Sequence, residues 1–188
     1  TLLVEMVLQE NMTLYEAYRR APRGLEGLYQ QRLRALEKKI GDRIKIQQIR
    51  DVMRMISILR SPHTPEEICD YLGIDYLDIE SIFGALEPFL DLHTYLQSTV
   101  CNWNHVSFYD FVLDPKRFPY REQHRFHLMI ASCAIRAIQS GETDDVPEYC
   151  IQHFLTHYRL GAGSERLLQF ARTELLPVIC DLPEFPLG

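Results

Sequence analysis

The fold is decided by residues 64–88, whose sequence is TPEEICDYLGIDYLDIESIFGALEP. Thr64 can cap a helix, the proline after it suits the first helical turn, and Glu67 completes a capping box. This helix is predicted to stop at Gly73, after which Asp75 caps a second and longer helix. A short helix, a Gly-containing turn and a longer helix predict a helix-turn-helix. The residues of the second helix predicted to face inward are Ile79, Ile82, Phe83 and Leu86.

The residues that follow predict a β-hairpin. Residues 92–96 and 100–106 are rich in Thr, Tyr, Val and Trp, and the polar sequence Gln97-Ser98-Thr99 between them is typical of a turn. A hairpin joined to a helix-turn-helix predicts a winged helix.

Helical periodicity continues on both sides of this unit. Upstream, apolar residues recur at helical spacing on either side of a break at Gly41 and Asp42. Downstream, a polar stretch around Gly141 separates two long periodic segments. Helices are accordingly predicted at residues 25–40, 49–59, 107–113, 120–140, 146–160 and 165–176.

The predicted fold class is therefore mainly α, with a winged helix-turn-helix and a small β-hairpin flanked by helical subdomains. Three domains are predicted from the breaks. Residues 1–40 form the end of a preceding helical subdomain, residues 41–118 the winged-helix domain, and residues 119–188 a following helical segment.

Length and composition narrow the class of protein. The 188 residues, 46% hydrophobic and 24% charged, are typical of a soluble globular protein. The longest apolar stretches, such as residues 128–135, are much shorter than the roughly 18 residues of a membrane span, so no membrane partner is expected. The chain begins at Thr1 without a Met, which suggests a piece of a longer protein.

The cysteines are five in number, widely spaced and without any CxxC pair. An odd number at these spacings argues against both a disulfide framework and a zinc site. A reducing compartment, the cytoplasm, is therefore predicted. The five are Cys69, Cys101, Cys133, Cys150 and Cys180.

Charge is distributed unevenly along the chain. The net charge is −6, but residues 19–60 carry twelve basic side chains against four acidic ones, whereas residues 61–91 carry eight acidic side chains and no Lys or Arg. DNA binding through the second helix of a winged helix depends on favourable phosphate contacts. A helix this acidic would be repelled, so no nucleic-acid partner is expected.

Two histidine pairs have helical spacing. His153 and His157 could each provide a zinc ligand, but Phe154 stands where the HExxH motif requires its glutamate. His124 and His127 also share a helix face. Packing or capping is the interpretation favoured for both pairs, and no metal site is predicted.

Catalytic motifs are missing from the sequence. It contains no Gly-rich loop followed by Lys-Ser or Lys-Thr, no G-x-S-x-G, and no positioned Cys and His pair. The chain is therefore not expected to be an enzyme by itself.

His105 leaves two interpretations open. It follows the predicted hairpin and immediately precedes the next helix, so it could cap that helix or stack on Trp103. A histidine held on a rigid hairpin could instead donate a hydrogen bond to a phosphate of a nucleotide held by another domain. Spacing does not choose between these roles.

The segment that begins at this histidine resembles a known family. Residues 105–115, HVSFYDFVLDP, resemble the H-x-S-F-x-D-F-L-x-D-P segment of NACHT-type STAND NTPases, particularly the fungal NLR-like signalling proteins. Weaker likenesses follow in the same order along the chain. They cover residues 24–29, 66–92, 124–135 and 149–158.

This resemblance implies the regulatory region of a cytoplasmic signalling ATPase or GTPase. ATP/ADP or GTP/GDP and Mg²⁺ would be bound upstream of Thr1, so this fragment would bind no cofactor alone. The winged helix would close on the nucleotide-binding domain of the same protein, and His105 would contact the β-phosphate of ADP. The parent protein would form homo-oligomers on activation.

An alternative from another functional class also agrees with the sequence. The chain could be a stand-alone winged-helix adaptor that binds protein partners through its acidic helix. The sequence upstream of Thr1 distinguishes the two hypotheses, because a GxxxxGK[ST] motif there supports the regulatory region.

Overall fold

Helices make up most of the described residues, which also contain one two-stranded antiparallel sheet. A computed structural model describes residues 24–59, 61–95, 98–140, 148–170 and residue 173. The elements follow in the order α1 (Gly24–Ile40), α2 (Arg43–Ile58), α3 (Pro65–Leu72), α4 (Tyr76–Leu86), β1 (Leu90–Tyr95), β2 (Ser98–Trp103), α5 (Val106–Leu113), α6 (Tyr120–Ser140), α7 (Glu148–Ala162) and α8 (Ser164–Phe170).

The helix-turn-helix prediction is confirmed in its local detail. The Thr64 hydroxyl accepts from the Glu67 amide at 3.2 Å, and the Glu67 carboxylate accepts from the Thr64 amide at 2.9 Å, which completes the capping box. Gly73 ends α3 with φ of 64°, a left-handed conformation that glycine adopts without steric cost. Asp75 then caps α4 through the Leu77 amide. The residues of α4 predicted to face inward, Ile79, Ile82, Phe83 and Leu86, are all buried.

The hairpin exists, but its predicted bounds are wrong. Leu90 pairs with Trp103 and Tyr95 with Ser98, so Ser98 lies in β2 rather than in a turn. Gln97, the first residue of the predicted turn, lies outside the described residues. β2 ends at Trp103 instead of continuing to residue 106, because Val106 already belongs to the capped helix α5.

A third segment adds one rung to this sheet. His63, between α2 and α3, forms an isolated antiparallel bridge with Cys101. The Cys101 amide donates to the His63 carbonyl at 2.8 Å. The segment before the helix-turn-helix is thereby attached to β2.

Aromatic side chains join α1, the hairpin and α5 in the core. The Phe108 ring lies 4.7 Å from Trp103, 4.8 Å from Phe89 and 4.9 Å from Tyr29, measured between centroids. The indole N–H of buried Trp103 donates to the Ser57 hydroxyl of α2 at 2.9 Å. These contacts fix the orientation of α5 relative to the hairpin.

The C-terminal helices pack against each other and against the helix-turn-helix. α6 has the predicted bounds, and α7 and α8 confirm the helices predicted there, although residues 141–147, 171 and 172, and 174–176 lie outside the described residues. Arg54 of α2 forms an ion pair with Glu122 of α6 at 3.1 Å and lies over the Phe118 ring. The three-domain division is untested and stays a prediction.

No helix of the described ranges is both long enough and apolar enough to cross a bilayer.

Candidate functional site

His105 lies at the corner between the hairpin and α5, exposed to solvent. It is the N-cap of α5, and its Nδ1 atom accepts from the Ser107 amide at 3.1 Å. The Ser107 hydroxyl is also 2.7 Å from Nδ1 and 2.8 Å from the Tyr29 hydroxyl. A hydrogen-bonded chain from α1 through α5 therefore holds the imidazole ring in place.

The cap decides which nitrogen of His105 carries the proton. An amide N–H can only donate, so Nδ1 must act as the acceptor in this contact. A neutral imidazole that accepts at Nδ1 has its proton on Nε2. The structure thus leaves an N–H donor at the exposed end of a ring whose other end is fixed.

The spacing of His105 in the sequence allowed a capping role, stacking on Trp103 or a phosphate contact. The capping interpretation is confirmed, whereas the ring contacts of Trp103 in the described residues are with Phe108 and Tyr109. Capping uses Nδ1 and a phosphate contact would use Nε2. The two roles of His105 are therefore compatible.

A cavity of about 240 Å³ beside Ser107 does not suit an anion. Its lining includes three carboxylates, those of Glu26, Asp110 and Asp114, against the single guanidinium of Arg117. Arg117 is paired with both Glu26 and Asp114. A phosphate group would therefore have to reach the exposed His105 side chain from outside this cavity.

The exposed face of α4 combines acidic groups with an apolar side chain. Leu77 is 75% exposed, the largest exposed fraction among the large hydrophobic side chains of the described residues. It lies between Tyr76, which is also exposed, and Asp78. The nearby Glu66 carboxylate raises the pKa of Tyr76.

The two histidine pairs occupy a different place, between α6 and α7. His157 is fully buried, with Nδ1 2.8 Å from Nδ1 of His127 and Nε2 2.9 Å from the Tyr149 hydroxyl. His153 packs on the Tyr149 ring, whereas His124 is exposed. In the described residues, no three His, Cys, Asp or Glu side chains are grouped so as to hold a metal ion. His127, His157 and Tyr149 thus form a hydrogen-bonded series between the two helices, and His153 stacks beside it.

One buried histidine has no recognisable signal in the sequence. The Nδ1 atom of His63 is 2.7 Å from the Ser61 carbonyl, to which it donates, and Nε2 has no partner in the described residues. The ring meets Tyr149 edge-on, with centroids 4.3 Å apart. Burial lowers the pKa of His63, so the folded protein favours its neutral form.

Comparison with protein-family models, with curated proteins and with solved structures found no significant match.

Proposed function

We propose that this chain is the non-catalytic regulatory region of a NACHT-like signalling NTPase, in which a winged helix closes on the nucleotide-binding domain of the same protein. His105 is the residue that contacts the nucleotide, a diphosphate held by that domain. One observation carries the proposal: the α5 cap fixes the ring of His105 and leaves an N–H donor at its exposed end.

The topology supports the winged-helix assignment. A helix-turn-helix precedes a hairpin, and the His63 bridge adds a third segment to the sheet, between α2 and α3. α4 occupies the position of the recognition helix but carries Asp78 and Glu80 and no Lys or Arg. Such a helix suits a contact within a protein better than one with a DNA phosphate backbone.

The position of His105 on the corner between the hairpin and α5 suits a switch between a diphosphate-bound closed state and a triphosphate-bound open state. In the closed state the Nε2–H of His105 donates to an oxygen of the β-phosphate, and the hairpin is held against the nucleotide-binding domain. A charged acceptor makes this hydrogen bond stronger than a neutral one. Exchange to the triphosphate favours the state without this contact, so the winged helix and its flanking helices move away.

The test uses three variants of His105 in the intact protein that contains this chain. Asn keeps an acceptor for the Ser107 amide but lacks the imidazole donor, Asp keeps the acceptor and adds a negative charge, and Ala removes both. Bound ADP after purification and basal oligomerisation are measured. We expect ADP retention to decrease in the order wild type, Asn, Asp, because Asp repels the phosphate, with a loss of at least about tenfold for Asp.

His93→Asn is the matched control, because His93 is an exposed histidine on β1 of the same hairpin. It should leave ADP retention at the wild-type level. The proposal fails if the Asn and Asp variants retain ADP as well as His93→Asn does. The stability of Ala, measured separately, isolates the effect of the lost cap, which costs about 1 kcal/mol.

A second function is favoured by the surface of α4. A free-standing adaptor would bind a protein through the exposed Leu77 and the acidic groups around it. A basic peptide with an apolar anchor has the complementary chemistry. Leu77→Ser should abolish such binding and leave ADP retention by the intact protein unchanged, so the two functions are distinguished by one variant.

A further inference from the structure

An apolar cavity of about 360 Å³ lies where α1, α2 and α5 meet. Its volume is near the lower end of the range of ligand pockets, about 300–1,000 Å³. Arg34 and Arg50 line one side of the cavity and are both exposed, so this side reaches solvent. A small molecule can therefore enter without disturbing the core. The apolar residues that line the cavity include Leu33, Leu36, Ile40, Ile49, Met53 and Phe111.

Basic side chains surround this apolar lining. The described lining holds four guanidiniums against one carboxylate, that of Glu37. Three of the four belong to residues 19–60, where the sequence has its large excess of basic side chains. The cavity thus offers an apolar surface for the body of an amphipathic anion and cations for its head. The four guanidiniums are those of Arg34, Arg50, Arg54 and Arg117.

The four arginines are not equally available to a ligand. Arg54 and Arg117 each pair with two carboxylates outside the cavity lining. Arg34, in contrast, forms no ion pair with the other described residues. Arg50 donates from Nε and Nη2 to a single oxygen of Glu37, at 2.9 and 2.7 Å, and no described residue accepts from its Nη1. Arg34 and Arg50 are therefore the cations that an anion can use.

We propose that this cavity binds a medium-chain fatty acid, with the alkyl chain against the apolar lining and the carboxylate at Arg34 and Arg50. Burial of the alkyl chain supplies affinity through the hydrophobic effect. A guanidinium presents several N–H donors in one plane, which match the two oxygens of a carboxylate. This site goes beyond the proposed nucleotide contact, because neither His105 nor Ser107 belongs to the described lining.

Glu37 competes with the ligand carboxylate for Arg50. The side chains of Arg50 and Glu37 are 49% and 33% exposed, and ion pairs of such exposure are weak. A fatty acid whose chain is already buried can therefore displace the Glu37 carboxylate from Arg50. Removal of the negative charge at Glu37 should then strengthen the binding of the anion, whereas it should not affect an uncharged molecule with the same chain.

The experiment titrates the purified chain with octanoate at pH 7 and measures binding by calorimetry. Octanol, which has the same chain length without the charge, and acetate, which has the charge without the chain, are titrated in parallel. We expect saturable, stoichiometric binding of octanoate, binding of octanol at least about tenfold weaker, and no binding of acetate. Octanol that bound as tightly as octanoate, or octanoate that did not bind, would overturn the proposal.

Two variants test the contacts of the carboxylate. Arg34→Glu should weaken octanoate binding at least about tenfold, because it replaces a cation of the cavity by an anion. Glu37→Gln should strengthen octanoate binding severalfold, because it frees Arg50. Both variants should bind octanol as the wild type does, and circular dichroism verifies that their helices are intact.

Lys38→Glu is the matched control for Arg34→Glu. Lys38 is an exposed cation of the same helix, α1, and lies outside the described lining of the cavity. Its reversal changes the net charge by the same amount and should leave octanoate binding near the wild-type level. The site is assigned wrongly if Arg34→Glu and Lys38→Glu weaken octanoate binding equally, or if Glu37→Gln does not strengthen it.

Discussion

At the scale of single residues, His105 caps a helix with one ring nitrogen, and the proposed phosphate contact would use the other. Its Nδ1 atom caps α5, and the Nε2 atom takes no part in that cap. The sequence presented these roles as alternatives because spacing does not reveal which ring atom is used. A histidine at an N-cap differs in this respect from Asp or Ser, whose short side chains have no second, oppositely directed donor.

His63 gives a prediction for the dependence of stability on pH. An unfolded histidine takes up a proton near pH 6.5, and burial lowers the pKa of His63 in the folded protein. Below about pH 6.5 the unfolded state therefore binds more protons, and this contribution to stability is lost as the pH falls. The slope for one histidine can reach about 1.4 kcal/mol per pH unit.

Urea unfolding at pH 7.5 and pH 5.5 measures this effect. The comparison is with His63→Gln, whose neutral side chain can still donate to the Ser61 carbonyl. We expect the variant to lose less stability than the wild type between the two pH values. Equal losses would mean that His63 is not the group responsible, even though the nearby Glu67 and His153 also influence it.

At the scale of helices and strands, the close approach of α6 and α7 has a specific cause. A Cβ atom added at Gly161 would lie 2.6 Å from Cγ of Leu128 and 2.9 Å from the carbonyl oxygen of His124. Backbone of α6 is thus within van der Waals distance of α7 at this point. Glycine is needed here for space, although it is a poor helix former.

Gly161→Ala should therefore destabilise the protein. Overpacking costs about 1–3 kcal/mol, which exceeds the gain of at most about 1 kcal/mol from alanine's helix propensity. Gly84 is the matched control, because it is an exposed helical glycine of α4 with nothing within 4 Å of an added Cβ. Gly84→Ala should stabilise by about 0.5–1 kcal/mol. Urea unfolding that showed both variants shifted in the same direction would contradict this explanation.

Elements set by local interactions were predictable from the sequence. The capping box of α3, the left-handed Gly73 and the Asp75 cap of α4 involve residues at most three positions apart. The end of β2 was misjudged, because Val106 favours a strand by its β-branched side chain, yet the cap from His105 places it in α5.

The contacts that build the sites depend on packing between distant elements. Tyr29 meets Ser107 and His127 meets His157 only after the helices have docked. Helical spacing placed His153 and His157 on one helix, but it contained no information about which helix they would face.

At the scale of the whole molecule, a continuous set of buried residues extends from α2 to α7. It passes through position 118, where a boundary between domains was predicted, because Phe118 is buried and Arg54 of α2 lies over its ring. Arg54 also pairs with Glu122 beyond that boundary. The residues on the two sides of position 118 therefore share one core.

A shared core predicts one cooperative unfolding transition. Fluorescence of Trp103, the single tryptophan of the chain, reports on the hairpin, whereas far-ultraviolet circular dichroism reports on all helices. The urea midpoints of the two signals should coincide. Separate midpoints would instead support independent folding of residues 41–118 and 119–188.

The bridge between His63 and Cys101 also bears on self-association. An exposed strand edge offers unpaired amides to a strand of another molecule, and this is a route to aggregation. The outward amide of Cys101, near the middle of β2, is already bonded to His63, and β1 carries the exposed polar side chains of Asp91 and His93. The edge at β2 thus has a backbone partner at Cys101, and the edge at β1 carries exposed polar side chains. Both features disfavour strand exchange between copies of the protein.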